Sequence, residues 1–351
     1  MAVDRAFGLE LIDFDRLGAW MTGQGLGRGP IVAVTPLTGG SQNVIVRFER
    51  DGRGYVVRRP PLHPSANGNE TMRREARVLG ALRDSDVPHP RLIAACGDES
   101  VIGAAFYLMA PVEGFNAAVG LPPFHAGDPA VRRAMGLSAV DGIARLARVD
   151  WRAAGLEGFG NPEGFLERQV SRWSKQLDSY AQHKGWPGPD ALPAVEAIAR
   201  WLDGARPAGF TPGIMHGDYH LKNVMFAADG PQLAAIIDWE LATIGDPMLD
   251  LGWLLATWRD QGAPASEAQI VVEPWNGFPT RDELVAHYAE VSGRDVSHAR
   301  WYAVLACYKL AILLEGTHAR ARAGKAPAEI GERMHRSAIR LLTKAAAMAG
   351  A

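Results

Sequence analysis

Residues 213–255, GIMHGDYHLKNVMFAADGPQLAAIIDWELATIGDPMLDLGWLL, decide how the rest of the chain is read. His216-Gly217-Asp218 is followed at a five-residue step by Asn223. The intervening Tyr219-His220-Leu221-Lys222 is too polar for a strand and too short for a helix, so it predicts a tight loop. Val224 to Phe226, the turn Asp229-Gly230-Pro231 and Leu233 to Ile237 predict a strand, turn and strand. That hairpin is expected to return Asp238 beside Asn223.

These residue types suit phosphoryl transfer from a nucleotide. The reaction wants a carboxylate near the attacking hydroxyl, and an amide oxygen and a second carboxylate on magnesium. Magnesium takes oxygen ligands and keeps several waters, so one Asp and one Asn are enough protein. Asp, four residues, Asn, a hairpin and a further Asp is also the spacing of a protein-kinase catalytic loop and its metal-binding Asp-Phe-Gly. Here His216-Gly217-Asp218 and Asp238-Trp239-Glu240 replace those motifs, with Gly245-Asp246-Pro247 and Asp250 downstream. In this form the stretch resembles the aminoglycoside phosphotransferase and choline kinase-like family. Arg58-Arg59-Pro60-Pro61 and the region from Val101-Ile102-Gly103 to Gly114 look most like the kinase-like segment fused to, or encoded near, acyl-CoA dehydrogenases.

The resemblance implies an α+β, bilobal protein-kinase-like fold. Its N-terminal lobe would span 1–110, with a five-stranded antiparallel sheet and a helix. A hinge would follow at 111–115. The larger, mainly helical C-terminal lobe would run over 116–351, holding the catalytic loop in 213–255 and substrate-pocket helices in 151–210 and 260–351.

The pattern outside the central stretch agrees. Ile31–Leu37, Asn43–Glu49 and Gly54–Arg58 read as three strands, rich in Val and Ile and separated by turn residues, and Arg91–Cys96 and Ala105–Ala110 as two more that close a five-stranded sheet. Asp13 caps a short amphipathic helix over 13–22, and Glu70–Leu82 carries apolar residues at helical steps. Asp128-Pro129 is a strong helix start, opening a helix that runs to about Asp150. Further helices are expected near 162–183, 190–203, 247–258, 281–292, 298–318 and 326–348.

Candidate nucleotide-binding residues follow from position. Gly39, Gly40 and Ser41 lie in the first turn, where backbone amides can approach a phosphate. Arg58 stands where the family's phosphate-binding Lys is expected, and Arg59 is the alternative. Glu75 matches the family's ion-pairing helix glutamate, with Glu70 as the alternative. Ala110, just before the 111–115 hinge, and Val112, within it, are expected from the resemblance to meet adenine through their backbone.

In the catalytic loop, Asp218 is expected to accept or orient the substrate hydroxyl proton, with positioning outweighing basicity. Asn223 and Asp238 are the magnesium ligands. His220 either donates to the transferring phosphate or stabilises the loop. His216 is expected to be structural, and Asp250 to bond catalytic-loop amides. The cofactors implied are ATP or GTP with Mg2+.

Composition narrows the partners. The 37 basic and 39 acidic residues give a net charge of -2, which offers no support for a nucleic-acid or anionic-membrane surface. Cys96 and Cys307 lack metal-ligand spacing and suit a reduced, cytoplasmic setting. The most apolar run, Tyr302–Leu314, is short and interrupted by Lys309, and so reads as a buried helix. The acceptor is expected to be a small-molecule hydroxyl. Aminoglycosides are polycations that want an acidic pocket, whereas 151–210 holds seven basic and seven acidic residues beside Phe159, Phe165, Trp173, Trp186 and Trp201. The expected enzyme is thus an ATP-dependent small-molecule kinase with a neutral or anionic acceptor. A protein kinase is disfavoured by the lack of a long activation segment over 238–250. A nucleotide-binding pseudokinase is the remaining alternative, supported by Arg58.

Overall fold

The computed structural model describes residues 8–37, 43–61, 67–260, 262 and 270–350. They divide into two compact units. The first takes the chain up to Glu113 together with Trp151–Phe159 and Ala234–Ala242, and the second takes Gly114–Asp150, Gly160–Leu233 and Thr243–Ala351.

In the first unit, helix α1 (Phe14–Gly23) precedes strands β1 (Ile31–Pro36), β2 (Val44–Arg50) and β3 (Arg53–Arg59). Helix α2 (Gly68–Ala81) leads to β4 (Leu92–Cys96) and β5 (Phe106–Met109). The strands form one antiparallel sheet in the order β1-β2-β3-β5-β4. Alternation sets its core: Val44, Val46 and Phe48 are buried along β2 while Arg47 and Glu49 face out. Leu17 and Met21 of α1 join them, below an N-cap in which the Asp13 carboxylate accepts from the Arg16 amide at 3.0 Å.

Two distant segments join this unit for visible reasons. Arg74 of α2 stacks over Phe159 at 4.3 Å and donates to the carbonyls of Phe159 and Ala242. Arg77 donates to the carbonyls of Gly155 and Glu157. The Ile236 amide donates to the Pro88 carbonyl. The structure therefore groups Trp151–Phe159 with the sheet, although the sequence division puts 151–210 among the pocket helices.

The second unit is helical: α3 (Pro123–Gly127), α4 (Pro129–Arg148), α5 (Glu167–Asp178), α6 (Val195–Gly204), then α7 (Met248–Thr257), α8 (Arg281–Ser292), α9 (Ala299–Arg322) and α10 (Ala328–Ala349). The fold is thus α+β with a five-stranded antiparallel sheet, as expected. Short strands β6 (Gly213–Met215), β7 (Val224–Phe226) and β9 (Thr243–Gly245) interrupt the helices, whereas β8 (Leu233–Ile236) falls, from Ala234 on, in the segment assigned to the first unit. The pairing of β6 with β9 is absent from the sequence reading, because three-residue strands leave no periodicity to detect. Helix α5 also starts later than expected, after Asn161-Pro162 and the left-handed Gly164. The apolar run around Lys309 lies in α9, with most of its residues buried. Among the described residues no helix is long and apolar enough to cross a membrane. Cys96 and Cys307 are both free and buried.

Candidate active site

The loop after β6 is held from several sides. Gly217 has φ +85°, a turn that favours glycine. The amides of His216 and Gly217 donate to the two carboxylate oxygens of Asp250, at 2.6 and 2.8 Å. The Tyr219 hydroxyl reaches back to the Ala139 carbonyl of α4 at 2.6 Å. Asn116 donates its side-chain amide to the carbonyls of Lys222 and Val224. The Asn223 amide donates to the His220 carbonyl at 2.8 Å, and the Ala227 amide to the Gln232 carbonyl at 2.9 Å closes the following turn.

Within this frame Asp218, His220 and Asn223 come together. The Asn223 Nδ2 donates to the Asp218 carbonyl at 3.0 Å and to its Oδ2 at 2.9 Å, and His220 Nε2 lies 3.4 Å from Asp218 Oδ1. With its nitrogen so engaged, Asn223 presents its amide oxygen elsewhere. The Asp218 side chain keeps 29% exposure, enough for a ligand to reach.

Beneath the loop lies Lys309, whose Nζ donates to the Gly217 carbonyl at 3.2 Å and sits 4.4 Å from the Trp253 ring centre. Burial pulls the ammonium down to about 8, with Asp218 and Asp250 holding it up. Burial pushes the Asp250 carboxyl up to about 7, opposed by the two loop amides and by Lys309. Sequence reading met Lys309 only as a break in an apolar run. A lysine in the middle of a buried helix is itself the signal, since buried charges need partners.

The first unit gathers Arg58, Glu75 and Asp238. Arg58 donates to Asp238 Oδ1 at 2.7 Å, and its Nε lies 3.2 Å from Glu75 Oε2. The Tyr107 hydroxyl donates to the same Glu75 oxygen at 2.8 Å. Burial pushes the Glu75 carboxyl up to about 7 against the pull of Arg58 and Tyr107. Burial lowers Arg58, but Tyr107, Glu75 and Asp238 outweigh it and hold the guanidinium above its ordinary value. Arg59 goes elsewhere, donating to the carbonyls of Leu11, Ile102 and Pro60. Asp238 itself has φ +67°, a left-handed conformation uncommon outside glycine and most tolerated by Asp and Asn.

The other expected positions divide. Gly39, Gly40 and Ser41 lie outside the described residues. The Ala110 amide donates to the Arg91 carbonyl at 2.9 Å, so Ala110 can offer a nucleotide only its carbonyl. Val112 is partly exposed on the irregular segment after β5. The aromatic residues expected near the acceptor are largely engaged in packing: Phe159 under Arg74, Phe165 near Phe210 at 5.9 Å, Trp173 near Lys309 at 5.4 Å. Trp186 donates to Glu315, and Trp201 lies under Arg300.

The chain is similar to known proteins over most of its length. A family model described as "Phosphotransferase enzyme family" matches residues 33–284. Acyl-CoA dehydrogenase family member 11 of Gallus gallus is 30% identical over 306 residues, which are 85% of this chain and 38% of that protein. The chain thus spans less than half the length of this curated relative. A solved structure from Ralstonia eutropha JMP134, provisionally designated an aminoglycoside phosphotransferase, is 30% identical with a TM-score of 0.78, covering 95% of this chain and 98% of that one. The GDP and kanamycin complex of APH(2")-IIIa is 18% identical with a TM-score of 0.63, covering 90% and 94%, and shows the shared fold alone.

Proposed function

We propose that this chain, which belongs to the phosphotransferase enzyme family, moves the γ-phosphoryl group of ATP or GTP to a hydroxyl of a small molecule. The observation that carries the reading is the fixing of Asp218 by Asn223, at 2.9 Å, inside a loop whose amides are tied to Asp250. A carboxylate so restrained can hold an acceptor O–H in one orientation, which matters more than its basicity. As the new O–P bond forms and the bond to the nucleoside diphosphate breaks, the hydroxyl proton passes to Asp218. His220 faces the same carboxylate and is placed to donate to the moving phosphoryl group.

The donor chemistry fits a hard cation. Asn223 has an amide oxygen left over from its bonds to Asp218, and Asp238 keeps a carboxylate with 22% exposure. We assign each of them as a ligand of Mg2+, which when bound neutralises phosphate charge. Arg58 takes the place of the usual Lys toward the nucleotide phosphates, with Glu75 orienting it. The carbonyl of Ala110 and the backbone of Val112 serve the base, and Gly39, Gly40 and Ser41 serve the phosphates.

Release of nucleoside diphosphate, screened over a library of small hydroxyl compounds, tests the assignment. Turnover in the wild type that disappears in Asp218→Asn supports it; equal release by both would sink it. Arg58 bonded to Asp238 also favours a second reading, a regulator that binds nucleotide without transferring phosphate. Tight ATP binding with no acceptor-dependent turnover would select that reading.

A further inference from the structure

Helices α9 and α10 each carry one Glu-x-x-His step, Glu315-Gly316-Thr317-His318 and Glu332-Arg333-Met334-His335. Residues three apart share a helix face, so each step points a carboxylate and an imidazole the same way. A short turn joins the helices, and the two steps meet. His318 Nδ1 lies 2.9 Å from Glu315 Oε1, and His335 Nδ1 lies 2.7 Å from Glu315 Oε2. The imidazole rings lie 4.3 Å apart, centre to centre.

We propose that Glu315, His318 and His335 form a binding site for one first-row transition-metal dication, Zn2+ first among them, that clips α9 to α10. One ligand atom from each residue lies within 4.8 Å of the others, and no other such trio of His, Cys, Asp or Glu occurs among the described residues. A tetrahedral ion with ligands at about 2.0–2.1 Å needs donor spacings of roughly 3.3 Å, a few tenths wider than the present contacts. Two imidazoles and one carboxylate select zinc-like ions over magnesium or calcium, which prefer oxygen.

The surroundings are those of a metal centre. Glu315 is fully buried, and Trp186 Nε1 donates to its Oε1 at 2.7 Å, fixing the carboxylate. His318 turns its other nitrogen toward Glu332, at 3.7 Å, the carboxylate–histidine arrangement that orients metal ligands. The helices can come this close because α10 has Gly331 at the crossing, where a Cβ would lie 2.3 Å from the Ala321 Cβ and 3.5 Å from the His318 Cα. The His335 side chain keeps 17% exposure, giving the ion an entry and a position for water. None of these residues belongs to the proposed phosphotransfer site.

The test uses the whole chain, stripped with a chelator and then titrated with Co2+ or with Zn2+ against a chromophoric competitor. About one ion per chain, visible Co2+ d–d bands and a rise in Tm with Zn2+ are expected. Glu315→Gln, His318→Ala and His335→Ala should each weaken binding at least tenfold. Because His335 is partly exposed, its variant should keep the wild-type circular dichroism while losing the Zn2+-induced Tm rise. Asp238→Asn, at the other site, should keep the Co2+ bands. A wild type that takes up no ion, or a His335→Ala that binds as tightly, overturns the proposal and leaves Glu315 a carboxylate satisfied by His318, His335 and Trp186.

Discussion

Arg58 donates to Asp238 at 2.7 Å while its other edge faces Glu75, so one buried guanidinium spans two carboxylates. Arg59, its neighbour on β3, is committed to backbone carbonyls. The two arginines should therefore separate by assay. Arg58→Ala is expected to weaken nucleotide binding about tenfold to a hundredfold, the loss of a charge-assisted bond worth roughly 1.5–3 kcal/mol. Arg59→Ala should leave the nucleotide Kd within about twofold but lower Tm. Isothermal titration with ATP and a thermal melt on each variant decide the matter, and matched losses of affinity would remove the distinction.

Asp238, proposed as a magnesium ligand, has a left-handed backbone, φ +67°. Asp238→Ala and Asp238→Gly should both abolish transfer, because neither offers an oxygen ligand. They should differ in stability, since a Cβ in the left-handed region costs roughly 1–2 kcal/mol and glycine does not pay it. Chemical denaturation should find the Gly variant the more stable by about that amount. The reverse order would mean that the left-handed turn is not imposed by the surrounding fold.

Glu75 gives stability a pH dependence of known sign. Burial raises its carboxyl from the ordinary 4.5 to about 7. Between those values the folded chain holds a proton that the unfolded chain has released, so stability falls as pH rises through that window. Above about 7 the difference no longer changes. Asp250, raised from 3.8 to about 7, adds a slope of the same sign. Glu75→Gln should accordingly flatten, without abolishing, the fall in urea midpoint between about pH 4.5 and 7. A slope equal to the wild type's would show that Glu75 ionises normally.

Phe159, Trp173 and Trp186 are engaged in packing, which leaves charge as the property that discriminates among acceptors. The balance of basic and acidic residues over 151–210 still offers nothing a polycation would prefer. Kanamycin is expected to be a poor acceptor beside neutral or anionic hydroxyl compounds, compared by kcat/KM. Efficient turnover of kanamycin would reverse the order.

What the sequence made legible depended on how local the signal was. The strands β2 and β3 and helix α2 could be anticipated, because alternation and helical spacing leave a mark in adjacent residues, whereas the hydrogen bonds from the loop amides to Asp250, 33 and 34 residues on, were legible only through the family's loop motif. The pairing of Glu75 with Arg58 was legible only through the family resemblance. The pairing of β6 with β9 could not be read, nor could the recruitment of Trp151–Phe159 by Arg74 and Arg77, because each depends on partners tens of residues away. The same holds for Tyr107 on Glu75 and for Lys309 beneath Gly217. In those cases the side chain looks ordinary until the tertiary fold supplies its partner.

Asp250 is the residue whose loss should separate loop order from global folding. Its carboxylate takes the amides of His216 and Gly217, and Lys309 draws on the same charge. Asp250→Ala leaves two buried donors unmet, at roughly 1–3 kcal/mol each, and deprives a buried ammonium of a counter-charge. The expected result is a loss of about 2–5 kcal/mol in stability, with faster hydrogen exchange at His216 and Gly217. Transfer should fall further than the folded fraction does, because Asp218 follows directly on the released amides. Adding Lys309→Met to Asp250→Ala should recover part of the stability by removing a buried cation that has lost one of its two carboxylates and keeps only Asp218, without restoring transfer. If the double variant were no more stable than the single one, Lys309 would not depend on Asp250 for its charge.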